Sequence, residues 1–189
     1  MRRDALFTDL EAQFSAGSRL DLDAEVAERM RTEAASVELA DRLRGSLGLE
    51  IGIQVWTGSV FEGTLRHAGS EALVLQAAHH QVLVPYAAVI HYTGLSRLAV
   101  AEPSKVRQRL GLASALRGLS RDRTRLSVLA GRGAGGETRL HGVIDRVGRD
   151  HLDVAVTEDG EDRRASNVRQ TVTVPFSALV ALRSARSAG

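Results

Sequence analysis

An internal repeat constrains the fold of this chain more than any other feature of its sequence. Residues Val82–Ile90 align with Val172–Val180, and both stretches carry Val-x-Val-Pro followed by an aromatic residue. Two earlier pairs of segments also align, and the same number of residues separates the members of each pair. These pairs are Glu62–Leu65 with His141–Ile144 and Gly69–Leu73 with Gly148–Leu152. A pattern that recurs in the same order predicts a duplicated structural unit.

Each copy of the repeat carries five short runs of alternating apolar residues bounded by turn residues. The runs fall at 51–55, 60–67, 72–76, 82–84 and 89–92, and again at 125–130, 139–147, 151–156, 171–174 and 179–182. Such spacing is typical of small β-barrels. Gly63 and Gly142 stand in the middle of the second strands, where a barrel bends sharply. The sequence therefore predicts two tandem five-stranded β-barrels.

Helical periodicity surrounds the two predicted barrels. Leu6, Leu10 and Phe14 predict a helix over 3–15, Asp23 suits the cap of a helix over 23–44, and a third helix is expected over 102–118. We therefore predict an α+β protein whose two barrels are joined by a basic helix. Its expected parts are an acidic helical region (1–48), a first barrel (49–98), a helical connector (99–121), a second barrel (122–184) and a flexible tail (185–189).

This layout resembles the Sm-like family of small, SH3-like β-barrels, in which a helix precedes five bent strands. Gly58, Gly63 and Leu65 match the family's Gly-(x4)-Gly-x-Leu element, and Val84–Val89 is similar to the last motif of its bacterial RNA-chaperone branch. The resemblance implies the fold and an association with RNA. The family's uridine-binding Asp and Asn would fall near Gly69 and Leu73, so the usual base pocket is not expected.

The opening stretch of the chain carries a second resemblance. Asp4–Glu11 reads Asp-Ala-Leu-Phe-Thr-Asp-Leu-Glu, which is similar to the start of actinobacterial proteins without an assigned activity. That likeness implies nothing about chemistry. Function has to be argued from charge and from the residues that could carry a reaction.

Charge is distributed unevenly along the chain. The net charge is −4 over residues 1–50, zero over 51–100 and +6 over 101–189. Arginine side chains bind phosphate oxygens well, so the basic residues in and around the connector predict a nucleic-acid-binding site. The alternative is a solvated helix face that pairs with the acidic N-terminal helices. The candidate binding residues, opposed only by Asp122, are Lys105, Arg107, Arg109, Arg117, Arg121, Arg123 and Arg125.

Several functional classes are not expected. The chain has no cysteine, which excludes disulfides and thiol chemistry, and its six histidines lack the spacing of a metal site. The glycine-rich run Gly131–Gly136 lacks the Gly-Lys-Ser/Thr ending of a phosphate loop. No Ser/His/Asp arrangement or carboxylate pair predicts an enzyme, so neither a cofactor nor a metal is expected.

We therefore expect a cytoplasmic, non-enzymatic Sm-like protein that binds nucleic acid through the connector, with RNA as the first expectation and DNA also permitted. The alternative is a protein–protein scaffold. In that case strand edges would join copies into a homo-oligomer, and residues 1–48 would recruit a protein partner. No membrane segment or secretory signal is expected.

Overall fold

The computed structural model describes residues 24–32, 35–104, 111–132, 136–157 and 170–184. The chain divides into two compact units, Met1–Glu38 and Leu39–Gly189. In the smaller unit, residues 24–32 form helix α1 and residues 35–36 are also helical, whereas 37 and 38 are not. The prediction of one helix over 23–44 is therefore wrong, and Ser36 and Val37 are weak helix formers. The predicted helix over 3–15 lies outside the described residues.

The described part of the larger unit contains two α-helices, two 3₁₀ turns and ten strands. The helices are α2 (Leu39–Arg44) and α3 (Leu112–Arg121), and the 3₁₀ turns are Tyr86–Ala88 and Phe176–Ala178. The strands are β1 (Glu50–Val55), β2 (Val60–Ala68), β3 (Ala72–Ala77), β4 (His80–Pro85), β5 (Val89–Thr93), β6 (Arg125–Gly131), β7 (Glu137–Val147), β8 (His151–Val156), β9 (Gln170–Pro175) and β10 (Leu179–Ser184). No described helix has the length and apolar character needed to cross a membrane.

The ten strands form one continuous antiparallel sheet, so the prediction of two tandem five-stranded barrels joined by a helix is wrong. The strand order is β5-β1-β2-β3-β4-β10-β6-β7-β8-β9. The first half, β1–β5, meets the second half, β6–β10, where β4 pairs with β10 through Leu83 opposite Leu182 and Val82 opposite Arg183. The backbone N–H of Gln81 also donates to the Ser184 hydroxyl at 2.9 Å. Strand pairing therefore joins the two halves directly.

Residues at the junction explain why the sheet is continuous. Val82, Leu83 and Val84 are all buried on β4, and Leu179–Leu182 are all buried on β10. Along both strands the side chains divide between two apolar clusters, one for each half of the sheet. A consecutive apolar run is typical of a strand covered on both faces. Leaving β4 and β10 unpaired would expose these runs together with two rows of backbone donors and acceptors.

Equivalent glycines shape the two halves. A Cβ added to Gly63 would collide with the carbonyl of Gln76 on the facing strand, and one on Gly142 would collide with that of Ala155. Each glycine is followed by a register shift, between Leu65 and His67 in one half and between the matching residues Ile144 and Arg146 in the other. The close backbone approach therefore requires glycine at both sites.

Candidate functional site

The structure describes four of the seven predicted binding residues. Arg117 and Arg121 lie on α3, Arg123 lies just beyond it, and Arg125 begins β6. The first three are exposed, whereas Arg125 is half-buried and already engaged in an interaction. The other three predicted binding residues lie outside the described residues. They are Lys105, Arg107 and Arg109.

Helix α3 is fixed against the second half of the sheet. Leu112 and Leu116 are buried one turn apart in the second apolar cluster. At the start of the helix, the N–H of Leu112 donates to Glu71 Oε2 at 2.6 Å, and near its end the Ser120 hydroxyl donates to the Ile144 carbonyl at 3.2 Å. The predicted helix over 102–118 is therefore misplaced, since residues 101–104 are not helical and α3 continues through Gly118 to Arg121.

The end of α3 places an arginine in a conformation that favours glycine. Arg123 has φ of 49°, in the left-handed region. Its N–H donates to the Ser120 carbonyl at 3.2 Å, and the N–H of Thr124 donates to the Leu119 carbonyl at 3.2 Å. This hydrogen-bond pattern is a Schellman motif, whose left-handed position is usually glycine. A bulky residue held there is costly, which makes Arg123 a candidate for a functional role.

The turn between β7 and β8 meets the exposed face of α3. An Nη2 donor of Arg117 reaches the carbonyl of Gly148 at 3.2 Å. Arg149 follows Gly148 and is exposed. We call Arg117, Arg121, Arg123 and Arg149 the arginine surface. Sequence reasoning missed Arg149, because only the packing of α3 on β7 brings this turn to the connector, and no local motif signals that contact.

The same carbonyl has a different donor in the first half. There the Tyr86 hydroxyl donates to the carbonyl of Gly69 at 2.8 Å. In the repeat alignment Gly148 matches Gly69, and Phe176, which has no hydroxyl, matches Tyr86. The carbonyl of Gly148 is thus left to accept the hydrogen bond from Arg117. This substitution within the repeat anchors one member of the arginine surface.

The guanidinium groups of Arg121 and Arg123 make no ion pair or hydrogen bond with any described residue. The nearest carboxylate in sequence, Asp122, is exposed as well. In the adjoining turn His151 Nδ1 lies 2.9 Å from the Asp150 carboxylate, and this hydrogen bond, together with the charge of Arg149, lowers the Asp150 pKa. The surface therefore retains cationic groups that are available to an anionic ligand.

The described aromatic side chains pack within the protein, and Phe176, whose N–H donates to the Asp150 carbonyl at 2.7 Å, packs against the second apolar cluster. Trp56 packs against the first apolar cluster and donates from Nε1 to the Gly131 carbonyl at 3.2 Å. Beside it, the hydroxyls of Thr57 and Ser59 donate to Glu137 Oε2 at 3.0 and 2.8 Å. This polar contact ties the β1–β2 turn to the hairpin between β6 and β7. The packing and hydrogen bond of Trp56 give this side chain a structural role.

The described residues contain no group of three or more histidine and carboxylate side chains able to hold a metal ion. The run Gly131–Gly136 follows a strand and leads into another strand, although 133–135 lie outside the described ranges. No protein-family model matches the chain, and no curated protein matches it significantly. The arginine surface is thus the feature of the described structure with the clearest chemical preference.

Proposed function

We propose that this protein acts by binding nucleic acid, without turnover, through the arginine surface. The observation that carries the proposal is the state of Arg121 and Arg123, which are exposed and make no ion pair with any described residue. Arginine donors in this state suit phosphate oxygens, which accept paired hydrogen bonds from a guanidinium group. Lys105, Arg107 and Arg109 belong to the same basic stretch and are included in the proposed contact, whereas Arg125 already has an interaction within the protein.

The position of Arg123 adds support. A glycine at the left-handed end of α3 would relieve backbone strain, yet the chain has arginine there. The unfavourable conformation is consistent with a requirement for the side chain itself. A solvated helix face, the alternative interpretation of this stretch, would place no such demand on one position.

The proposal is tested by measuring binding of the purified full-length protein to a labelled mixed-sequence RNA at increasing salt. Three phosphate contacts predict an affinity that falls roughly 20-fold or more between about 50 and 200 mM salt. Replacing Arg117, Arg121 and Arg123 together with serine should abolish binding. Arg66→Ser and Arg97→Ser, which remove exposed arginines on β2 and just after β5, are the controls. Unchanged binding by the triple variant would refute the proposal.

A second candidate function, a scaffold built from several copies, is favoured by the strand order. The internal junction pairs β4, the fourth strand of the first half, with β10, the fifth strand of the second half. The outer strands of the described sheet are β5, a fifth strand, and β9, a fourth strand. The two edges are therefore the same kinds of strand that already pair inside the chain, and a second copy could join them.

Light scattering over a range of protein concentrations tests the scaffold. Ile90 on β5 is 62% exposed, so Ile90→Lys adds a charge to the edge without disturbing the core. This change should dissociate any assembly built on that edge. Val60→Lys is the matched control, because Val60 is 56% exposed but lies on β2, which is paired on both sides. A wild-type protein that is monomeric at every concentration would eliminate this candidate.

A further inference from the structure

The backbone that carries the arginine surface is held in place, and this limits the kind of nucleic acid that the surface fits. Helix α3 is held at both ends by the hydrogen bonds of Leu112 and Ser120 to the rest of the larger unit. Its last turn is closed by the Schellman motif, and Arg117 is tied to Gly148. Because these contacts fix the backbone from which the arginines project, the surface suits a ligand whose phosphates are also fixed in space.

The arginines of α3 and of the residues just after it form a short row of closely spaced cations. Arg117 and Arg121 lie one helical turn apart, a rise of about 6 Å, and Arg123 follows two residues later. A duplex presents about one phosphate charge per 1.7 Å of its axis from its two strands together, roughly twice the density of either strand. Each phosphate contact on this denser array releases more counterions, about 0.9 against about 0.7 for a contact on a single strand, so the same row of cations gains more affinity from a duplex.

The arginine surface contains no aromatic ring on which bases could stack and no amide side chain that would pair with adenine. Single-strand binders gain affinity by stacking bases on aromatic rings. Of the seven aromatic residues in the sequence, only Phe7 and Phe14 fall outside the described ranges. The other five pack within or against the two apolar clusters, and these are Trp56, Phe61, Tyr86, Tyr92 and Phe176. Residues 111–157 also contain no asparagine or glutamine, the side chains that pair with adenine edges.

We propose that the ligand of the arginine surface is the phosphate backbone of a double-stranded nucleic acid, bound with little regard to base sequence. This inference rests on the proposed function, and it identifies the ligand class of that site. RNA and DNA duplexes share the phosphate rows on which the argument depends. The comparison of the two duplexes then identifies which one the surface prefers.

Fluorescence anisotropy with four labelled probes tests the inference. The probes are an RNA duplex, a DNA duplex and one single strand of each, all of the same mixed sequence. We expect the protein to bind at least one duplex about tenfold more tightly, or better, than the single strand of the same nucleic acid, because phosphate contacts dominate the affinity of the protein for its ligand. Each of Arg121→Gln and Arg149→Gln should lower the slope of log affinity against log salt by about 1. Val60→Gln, which alters an exposed residue away from α3, should leave both duplexes bound as before.

The outcomes separate the inference from the proposed function. Tighter binding of a single strand than of its duplex, still sensitive to Arg121→Gln, would overturn the inference and leave nucleic-acid binding standing. A large difference in affinity between the mixed-sequence duplex and a fifth probe, a duplex of unrelated sequence, would also overturn it, because phosphate contacts carry no sequence information. Absence of binding to all four probes would overturn both. Duplex preference that disappears in the arginine variants supports both.

Discussion

The last arginines of the two helices that precede the halves of the sheet, Arg44 and Arg121, are used in opposite ways. On α2, Arg42 donates to the Ser96 carbonyl at 2.9 Å, and Arg44 donates to the Val100 carbonyl at 2.8 Å and pairs with Asp41. On α3, Arg121 makes no such contact with any described residue and is exposed. The same architecture thus uses arginine in the first half to secure a chain segment and in the second half to present charge.

Beneath the helices, the sheets of the two halves are built alike. The N–H of Gly69 donates to the Ala72 carbonyl in one turn, and the N–H of Gly148 donates to the His151 carbonyl in the matching turn, both at 2.9 Å. The 3₁₀ turns Tyr86–Ala88 and Phe176–Ala178 also occupy equivalent places after Pro85 and Pro175. The two halves therefore share one backbone arrangement, which we call the frame, and differ mainly in the side chains that it carries. Variants can separate the contribution of the frame to stability from that of the arginine surface to binding.

The largest effect is expected where the frame itself is changed. Gly63→Ala and Gly142→Ala should each destabilise the protein by about 3 kcal/mol, because the new Cβ meets a backbone carbonyl that cannot move aside. Urea unfolding followed by circular dichroism measures the loss. Similar values for the two variants would support equivalent halves.

Gly118→Ala is the control for these substitutions. A Cβ at Gly118 meets nothing within 4 Å, and the site lies inside α3. It should stabilise the protein by about 0.8 kcal/mol through helix propensity. A small effect for only one of Gly63→Ala and Gly142→Ala would break the comparison, since the two halves would then tolerate strain differently.

The sequence predicts the frame well up to the point where the halves join. The positions of all ten strands follow from alternation and turn residues, because those signals are local. The pairing of β4 with β10 is not local: it joins residues about a hundred positions apart in sequence. The run Leu179–Leu182, which is apolar at every position, is the signal that a strand is covered on both faces, and it distinguishes a continuous sheet from separate barrels.

The site is predicted less completely than the frame. Arg117, Arg121 and Arg123 follow from the run of basic residues, and the structure places them on or just beyond one helix. Arg149 does not follow, because its place depends on how α3 packs against β7. The partial burial of Arg125 cannot be predicted from the sequence either, because it depends on which strands pair with β6 in the sheet.

A smaller effect should separate the two uses of arginine. Arg44→Ala removes the side chain that bonds the Val100 carbonyl and pairs with Asp41, and that side chain is only 14% exposed. We expect a loss of about 2 kcal/mol in urea unfolding, because both partners lose a donor. Arg121→Ala should change stability by less than about 0.5 kcal/mol, as expected for an exposed residue without a partner.

The effects of these two substitutions on duplex binding should have the reverse order. Arg121→Ala is expected to weaken duplex binding, whereas Arg44→Ala should leave it unchanged under conditions in which the variant is folded. A stability loss for Arg121→Ala as large as that for Arg44→Ala would mean that both helices use arginine structurally. That result would remove the distinction between the two halves.

Arg123→Gly should move stability and binding in opposite directions. Glycine adopts the left-handed conformation freely, so we expect a gain of about 0.5–1 kcal/mol after the entropy cost of glycine is subtracted. Removal of the cation should lower the slope of log affinity against log salt by about 1. Thermal unfolding and anisotropy titrations measure the two effects.

Ala78→Gly supplies the matched control for Arg123→Gly. Ala78 also has a left-handed φ, of 44°, in the turn between β3 and β4, and it carries no charge. Its replacement should stabilise the protein to a similar extent and leave duplex binding unchanged. If Arg123→Gly preserved the salt dependence of binding, the strain at Arg123 would need an explanation other than phosphate contact.

The remaining predictions exchange the aromatic residues at the two 3₁₀ turns. Phe176→Tyr adds a hydroxyl that can compete with Arg117 for the carbonyl of Gly148, as Tyr86 bonds Gly69 in the first half. We expect duplex affinity to fall roughly threefold, since one partly exposed hydrogen bond of Arg117 is disturbed. Unchanged affinity would show that the anchoring of Arg117 has no part in binding.

Tyr86→Phe makes the opposite exchange and should be visible at alkaline pH. Burial raises the pKa of Tyr86 and raises that of Tyr92 to about 12, whereas the ordinary value is 10.0. Because the folded state holds these protons more tightly than the unfolded chain, stability is retained below about pH 10 and falls as the pH rises towards 12. Tyr86→Phe should cost about 1 kcal/mol at neutral pH, through loss of the bond to Gly69, and should make the alkaline decline shallower. Urea unfolding at pH 7, 10 and 11 measures both effects, and an equally steep decline in the variant would assign the alkaline sensitivity to groups other than Tyr86.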